Sequence, residues 1–317
     1  MGIAFIFPGQ GSQKVGMASV FTNAFKTGHE TLQEIEDAVS IKISDVIENG
    51  PIEELTKTQN AQLAIFAVSM ICFRVLEREF GLDASNSCNY LAGHSLGEYS
   101  ALCASGCIDL QSCAKLVRFR GELMANAFPD TSDCAMAAVI GLKIEDMEDI
   151  VEQYSTGERI CVIANDNSSS QVVLSGHKDK VLEAGDKLKQ ERGAFKVIQL
   201  NTSGPFHSPL MTKAMIELDD YISSNITFNK LKVPVIMNIV GKQITDSSEI
   251  HALLLNQITG RVQWRKTMDI ILNDKNVDKI VEVAPGKVLS SMAKRDYPER
   301  DFVNLESISQ IEAFMKG

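Results

Sequence analysis

Apolar residues run along this chain in two different periods, and the switches between them mark out its elements. Ile3-Ala4-Phe5-Ile6-Phe7 is a short unbroken apolar run stopped by Pro8, which predicts a strand covered on both faces. Across residues 60–80 the apolar positions Leu63, Ile65, Phe66, Val68, Ile71, Cys72, Val75 and Leu76 return at helical spacing and end at Gly81. Residues 88–92 predict a second buried strand, followed by a sharp turn and a helix to about residue 103. This opening stretch reads as α/β, with strands and helices in alternation.

After about residue 130 the order changes. Residues 135–140, 160–164, 171–175 and 194–200 read as strands, with helices over 144–154 and 178–190. That succession, β-α-β-β-α-β, is the ferredoxin-like arrangement. The α/β pattern then resumes, with strands over 233–239 and 279–283 and an amphipathic helix over 247–257. The expected organisation is a large domain built from residues 1–130 and 201–317, with an inserted subdomain of residues 131–200 and a ligand cleft between them.

A chain of 317 residues suits one large or two unequal domains, and 44% hydrophobic content is enough for a buried core. No unbroken run of about 18 apolar residues occurs, and no basic stretch precedes an apolar one at the start. Neither a membrane span nor a signal peptide is therefore expected, and the expected compartment is the cytoplasm. The seven cysteines form no Cys-x-x-Cys pair and sit largely in apolar runs, as buried thiols of a reducing compartment do. Cys103 and Cys107 share a helix face, but no His or Cys partner stands at ligand spacing, so packing is expected and a metal is not. The net charge of -10 would repel nucleic acid and an anionic membrane.

The strongest chemical signal is Gly93-His94-Ser95-Leu96-Gly97, a G-x-S-x-G sequence between an expected strand and an expected helix. Small residues on both sides let the chain turn tightly. They hold the Ser95 hydroxyl at a helix N-terminus, whose free N–H groups favour developing negative charge. An ordinary glycine-rich strand-to-helix turn would use the same five residues. A serine nucleophile needs a base, and there are five histidines to supply it. His94 adjoins Ser95, and side chains at a sharp elbow point apart. His29 and His251 fall in helical patterns, and His177 follows Ser175-Gly176 in a turn. His207 lies in Ser203-Gly204-Pro205-Phe206-His207-Ser208-Pro209, where two prolines stiffen the backbone enough to aim an imidazole. The alternative for His207 is a plain loop histidine in water.

Several short sequences occur in register: Phe7-Pro8-Gly9-Gln10-Gly11-Ser12-Gln13, Gly93-His94-Ser95-Leu96-Gly97-Glu98-Tyr99-Ser100-Ala101, Phe206-His207-Ser208 and Val262-Gln263-Trp264. Asn165-x-Asn167 precedes Gln171-Val172-Val173, and Val283-Ala284-Pro285-Gly286-Lys287 stands near the end. Together, over about residues 3–294, they resemble the malonyl-CoA:acyl carrier protein transacylases of type II fatty acid synthesis. The resemblance implies a large α/β-hydrolase-like domain with a parallel sheet plus a smaller inserted ferredoxin-like (βαββαβ) subdomain. It implies an acyltransferase that moves malonyl from malonyl-CoA to the phosphopantetheine thiol of acyl carrier protein through a malonyl-serine ester. Ser95 would be the nucleophile and His207 the general base, oriented by the backbone carbonyl of Gln257 with no acid as third member. The backbone N–H groups of Gln10 and Leu96 would form the oxyanion hole. Arg120 would bind the malonyl carboxylate through two parallel charge-assisted bonds, each worth roughly 1.5–3 kcal/mol. Gln62 and Phe206 would line the same pocket. No metal and no tightly bound cofactor are implied: CoA arrives as the substrate thioester, and phosphopantetheine comes with the acceptor. Leu63, where the family often has proline, and Ser168-Ser169-Ser170 depart from the family pattern at loop-shaping positions.

An acidic carrier protein on an acidic enzyme would need a confined positive area. The candidates are Lys187, Lys189, Arg192 and Lys196 on the small lobe, with Arg261, Arg265 and Lys266 around Trp264. Two other functions share the motifs: a serine esterase or thioesterase, and a malonyl transferase serving a polyketide pathway in trans. A catalytically dead scaffold would not need every reacting group to be present.

Overall fold

The computed structural model describes residues 2–316, and their ten strands form two sheets. In chain order these are β1 (Ile3–Phe7), β2 (Cys88–Gly93), β3 (Cys134–Ile140), β4 (Cys161–Ser168), β5 (Gln171–His177), β6 (Lys196–Gln199), β7 (Val235–Met237), β8 (Lys242–Ile244), β9 (Lys279–Val283) and β10 (Phe302–Leu305). The larger sheet has the order β10-β9-β1-β2-β7-β8 and is parallel except for β8, which turns back on β7. With β1 inside the sheet, alternate residues of one strand serve both faces. Phe5 and Phe7 join the core built around the Thr58–Glu79 helix, while Ala4 and Ile6 pack with Trp264, Met268 and Leu289 on the other side. The Thr58–Glu79 helix is long and apolar enough to cross a membrane by length and composition, yet 83% of its most apolar window lies inside the fold. Its hydrophobicity is that of a core helix.

The smaller sheet is antiparallel, in the order β4-β5-β3-β6, and helices Glu148–Glu152 and Lys178–Arg192 give it the ferredoxin-like succession. The first helix is shorter than its pattern suggests, because residues 144–146 form a 3₁₀ turn before it. Ile144, Met147, Ile150 and Val151 are nonetheless all buried, so the periodicity marked packing and not an unbroken helix. β7 likewise ends early, because Asn238 leaves the ladder to bond the turn after β2.

The smaller sheet and the large lobe meet along a backbone seam. The Val262 N–H donates to Ala164 O at 2.8 Å and the Asp166 N–H to Val262 O at 2.9 Å, which extends the β4 edge with a residue of the large lobe. Beside the seam the Arg265 Nε reaches both oxygens of buried Asp166 at 3.1 Å, and Arg261 pairs with Glu148 at 3.0 Å.

Candidate active site

β2 ends at Gly93, the chain turns through Ser95, and the Gly97–Ala104 helix begins. Ser95 has φ of 51°, a left-handed conformation that a side chain adopts only when its surroundings hold it there. The flanking glycines have no room for more. A Cβ on Gly93 would lie 1.9 Å from the Gly97 carbonyl carbon, and one on Gly97 would lie 2.1 Å from Phe7 O. Asn238 clamps the turn from outside, accepting from Ser95 N–H at 2.7 Å and donating to Gly93 O at 2.7 Å. The hydroxyl is thereby aimed across the cleft at the segment that follows β6.

His207 Nε2 stands 2.8 Å from Ser95 Oγ, and His207 Nδ1 stands 2.8 Å from the backbone oxygen of Gln257. A carbonyl only accepts, so Nδ1 carries the proton and Nε2 turns its lone pair to the serine O–H. Burial, with the Arg120 cation second, pulls the imidazole down to about 3, which keeps it neutral at ordinary pH. Arg120 comes from the Leu110–Asn126 helix and is buried. Its Nη2 lies 3.2 Å from Ser95 Oγ and 2.9 Å from Gln257 Oε1, and its Nη1 lies 2.6 Å from Gln62 Oε1. The buried Arg120 Nε–H has no acceptor among the described residues, and the guanidinium carbon sits 5.0 Å from the centre of the Tyr99 ring. Two glutamines thus fix the plane of a cation that still has hydrogen-bonding capacity to spare.

These groups open on one cavity of about 400 Å³ between the lobes, lined by Gln10, Gln62, Ser95, Leu96, Arg120, Phe206 and His207 among others. Asn165, Asn167, Gln171 and Met136 form the small-lobe wall. The backbone N–H groups of Gln10 and Leu96 have no acceptor among the described residues. All the site residues expected from the sequence therefore border this cavity, except Gln257, which stands behind the imidazole.

The other histidines are elsewhere engaged. His94 Nε2 bonds Asn167 Oδ1 at 2.8 Å and its ring meets Trp264 edge-on; His177 Nδ1 accepts from the Ile160 N–H. His251 lies 2.8 Å from Asp219, and His29 lines a separate acidic groove. Sequence reasoning missed Glu98 and Asn238, both fully buried, and the side chain of Gln257. A lone carboxylate on a helix as apolar as Gly97–Ala104 was the available signal for Glu98. Of the cations considered for partner docking, Lys187, Lys189, Arg192, Arg261 and Arg265 are each paired with a carboxylate. Lys196 instead lies over the exposed Phe195 ring, 5.5 Å from its centre.

Comparison with known proteins gives a consistent set of likenesses. A family model described as the acyl transferase domain matches residues 4–311. The malonyl CoA-acyl carrier protein transacylase of Escherichia coli (strain K12) is 37% identical over 292 residues, covering 92% of each chain. The enzyme of the same name from Bacillus subtilis (strain 168) is 35% identical over 295 residues, covering 92% of this chain and 90% of its own. An acyl-carrier-protein-S-malonyltransferase from Bartonella henselae superposes with a TM-score of 0.94 at 40% identity, covering 100% of this chain and 99% of that one. A malonyl-transacylase solved in complex with its type II PKS acyl-carrier protein superposes at 0.93 with 32% identity, at the same coverage.

Proposed function

This chain belongs to the acyl transferase domain family, in its malonyl-CoA:acyl carrier protein transacylase branch, and we propose that Ser95 and His207 carry its reaction. The enzyme moves malonyl from malonyl-CoA to the thiol of acyl carrier protein. In the first half-reaction the Ser95 proton passes to His207 Nε2 as Oγ bonds to the thioester carbonyl carbon. The carbonyl oxygen becomes an oxyanion facing the N–H groups of Leu96 and Gln10. Collapse breaks the C–S bond, and the proton on Nε2 goes to the CoA sulfur. In the second half the carrier thiol gives its proton to Nε2, its sulfur attacks the seryl ester, and Oγ takes the proton back as the C–O bond breaks.

Arg120 receives the malonyl carboxylate, with Gln62 holding the guanidinium and Phe206 closing the pocket. The backbone oxygen of Gln257 sets the imidazole tautomer. Exchange of one thioester for another is close to isoenergetic and needs no tightly bound cofactor, and we assign the enzyme to the cytoplasm. We place the large domain at residues 1–130 and 201–317 and the inserted one at 131–200.

The observation that carries this reading is a single serine oxygen standing 2.8 Å from His207 Nε2 and 3.2 Å from Arg120 Nη2. Mixing with malonyl-CoA, then intact-mass measurement and peptide mapping, should place one malonyl group on Ser95. An adduct on any other residue overturns the assignment. The ester should persist in water and discharge on adding carrier protein; rapid loss without a thiol would make the enzyme a hydrolase. Faster discharge to a fatty acid carrier than to a polyketide carrier is the expected order.

A further inference from the structure

A carboxyl group does stand behind this dyad, one amide away from it. Glu98, in the first turn of the Gly97–Ala104 helix, is fully buried and has no cation within ion-pair distance among the described residues. Its Oε1 accepts from Gln257 Nε2 at 2.7 Å, and its Oε2 accepts from the Asn238 backbone N–H at 2.5 Å. Both donors hold the reacting pair. Asn238 takes the Ser95 N–H and gives to Gly93 O. Gln257 gives to Ser95 O at 3.0 Å through its side chain, and its backbone oxygen takes the His207 Nδ1–H. Burying a carboxyl without a cation against it is costly, and it is kept where its bonds specify a geometry.

We propose that Glu98 is the positioning carboxylate of the Ser95–His207 pair, steadying the imidazole through Gln257 and the serine turn through Asn238. This rests on the assignment of Ser95 and His207 given above. As Nε2 takes the serine proton, the ring becomes a cation close to the Arg120 guanidinium, which opposes it. A carboxylate joined to the ring's partner by one hydrogen bond offsets that field. Both Glu98 oxygens accept from N–H donors, the arrangement that suits the ionised form. Burial holds the carboxyl up at about 8, against the two N–H bonds and the Arg120 cation, which lower it, and the cation that forms on His207 during the reaction favours its ionised form further.

Glu98→Gln keeps the shape but turns an NH₂ toward one of two donors, so one bond must break. The test compares the unaltered enzyme, E98Q, Q257A and the double variant. Rapid-quench acylation is followed by intact mass, kcat and KM are taken for both half-reactions, and the His207 Nδ1–H resonance is read in histidine-labelled enzyme. E98Q should lower kcat in both half-reactions by on the order of 100-fold, with KM for malonyl-CoA changed by less than about 3-fold. The Nδ1–H resonance should move, and the double variant should lose no more than the worse single, because both act through one chain of bonds. Acylation by E98Q at the unaltered rate, or additive losses with an unmoved resonance, overturns the proposal. Should E98Q not fold, Q257A is used instead, and because it also frees Arg120 Nη2 and Ser95 O, its KM for malonyl-CoA separates the causes: slow acylation with a displaced resonance and an unchanged KM supports the proposal, and full rate, an unmoved resonance or a loss carried by KM refutes it. An unaltered enzyme that forms no Ser95 ester would instead sink the underlying reading.

Discussion

Ser95 and His207 stand 2.8 Å apart, yet the chain places them by opposite means. Ser95 is placed chiefly by its neighbours in sequence: Gly93 and Gly97 flank it, and the turn and the helix start arise within five residues, with Asn238 clamping them from outside. His207 is placed remotely. Its imidazole takes its orientation from Gln257, fifty residues further on, and its charge state from burial and an arginine of another helix. A locally built feature is present or absent, whereas a remotely built one can be detuned by degrees. The serine end should therefore respond to substitution in an all-or-none way, and the histidine end in a graded one.

The largest expected effect tests the first half of that contrast. Ser95→Ala should abolish transfer of label from malonyl-CoA to carrier protein, and residual transfer would mean another nucleophile. At the other end His207→Ala should cost about 10³-fold in kcat/KM and leave some acylation, since the oxyanion donors and Arg120 stay in place. A total loss there would erase the distinction between the two ends. Next comes Arg120→Ala, which should lower the preference for malonyl over acetyl by at least about 100-fold in competition assays. The same variant sharpens the comparison through pH. Arg120 is the second cause, after burial, of the depressed His207 value, and removing it lets the ring protonate sooner on acidification. The acidic limb of the acylation profile should move to higher pH; an unmoved limb would belong to some other group. The smallest effect is at the surface. Lys196→Glu should raise KM for carrier protein a few-fold and leave loading from malonyl-CoA unchanged.

The same contrast explains what could be read from the chain. The serine turn was legible because its cause is contiguous, and the small lobe because its alternating periods spell out an order of elements. β8 and β10 are short, lie at the sheet edges and carry polar positions, so no run of apolar residues announced them. His207 was marked out by its prolines, but Gln257 came only through family resemblance, because nothing within fifty residues of the histidine points to it. Glu98 looks like any acidic residue in a first helical turn, where a carboxylate is at home in water. Only the fold reveals that this one faces inward. The docking candidates show a related effect: Arg192 with Asp149, Arg261 with Glu148 and Arg265 with Asp166 are paired across space, with carboxylates that no local sequence brings beside them.

The Ala164–Val262–Asp166 stitching has a consequence for what the pocket can be made to accept. Because the two halves are sewn together by main-chain bonds at one rim, the gap between them has a fixed width there. Admitting a bulkier acyl chain by design would then come from trimming Met124, Met136 or Phe206, which line the cavity, and not from prising its walls apart.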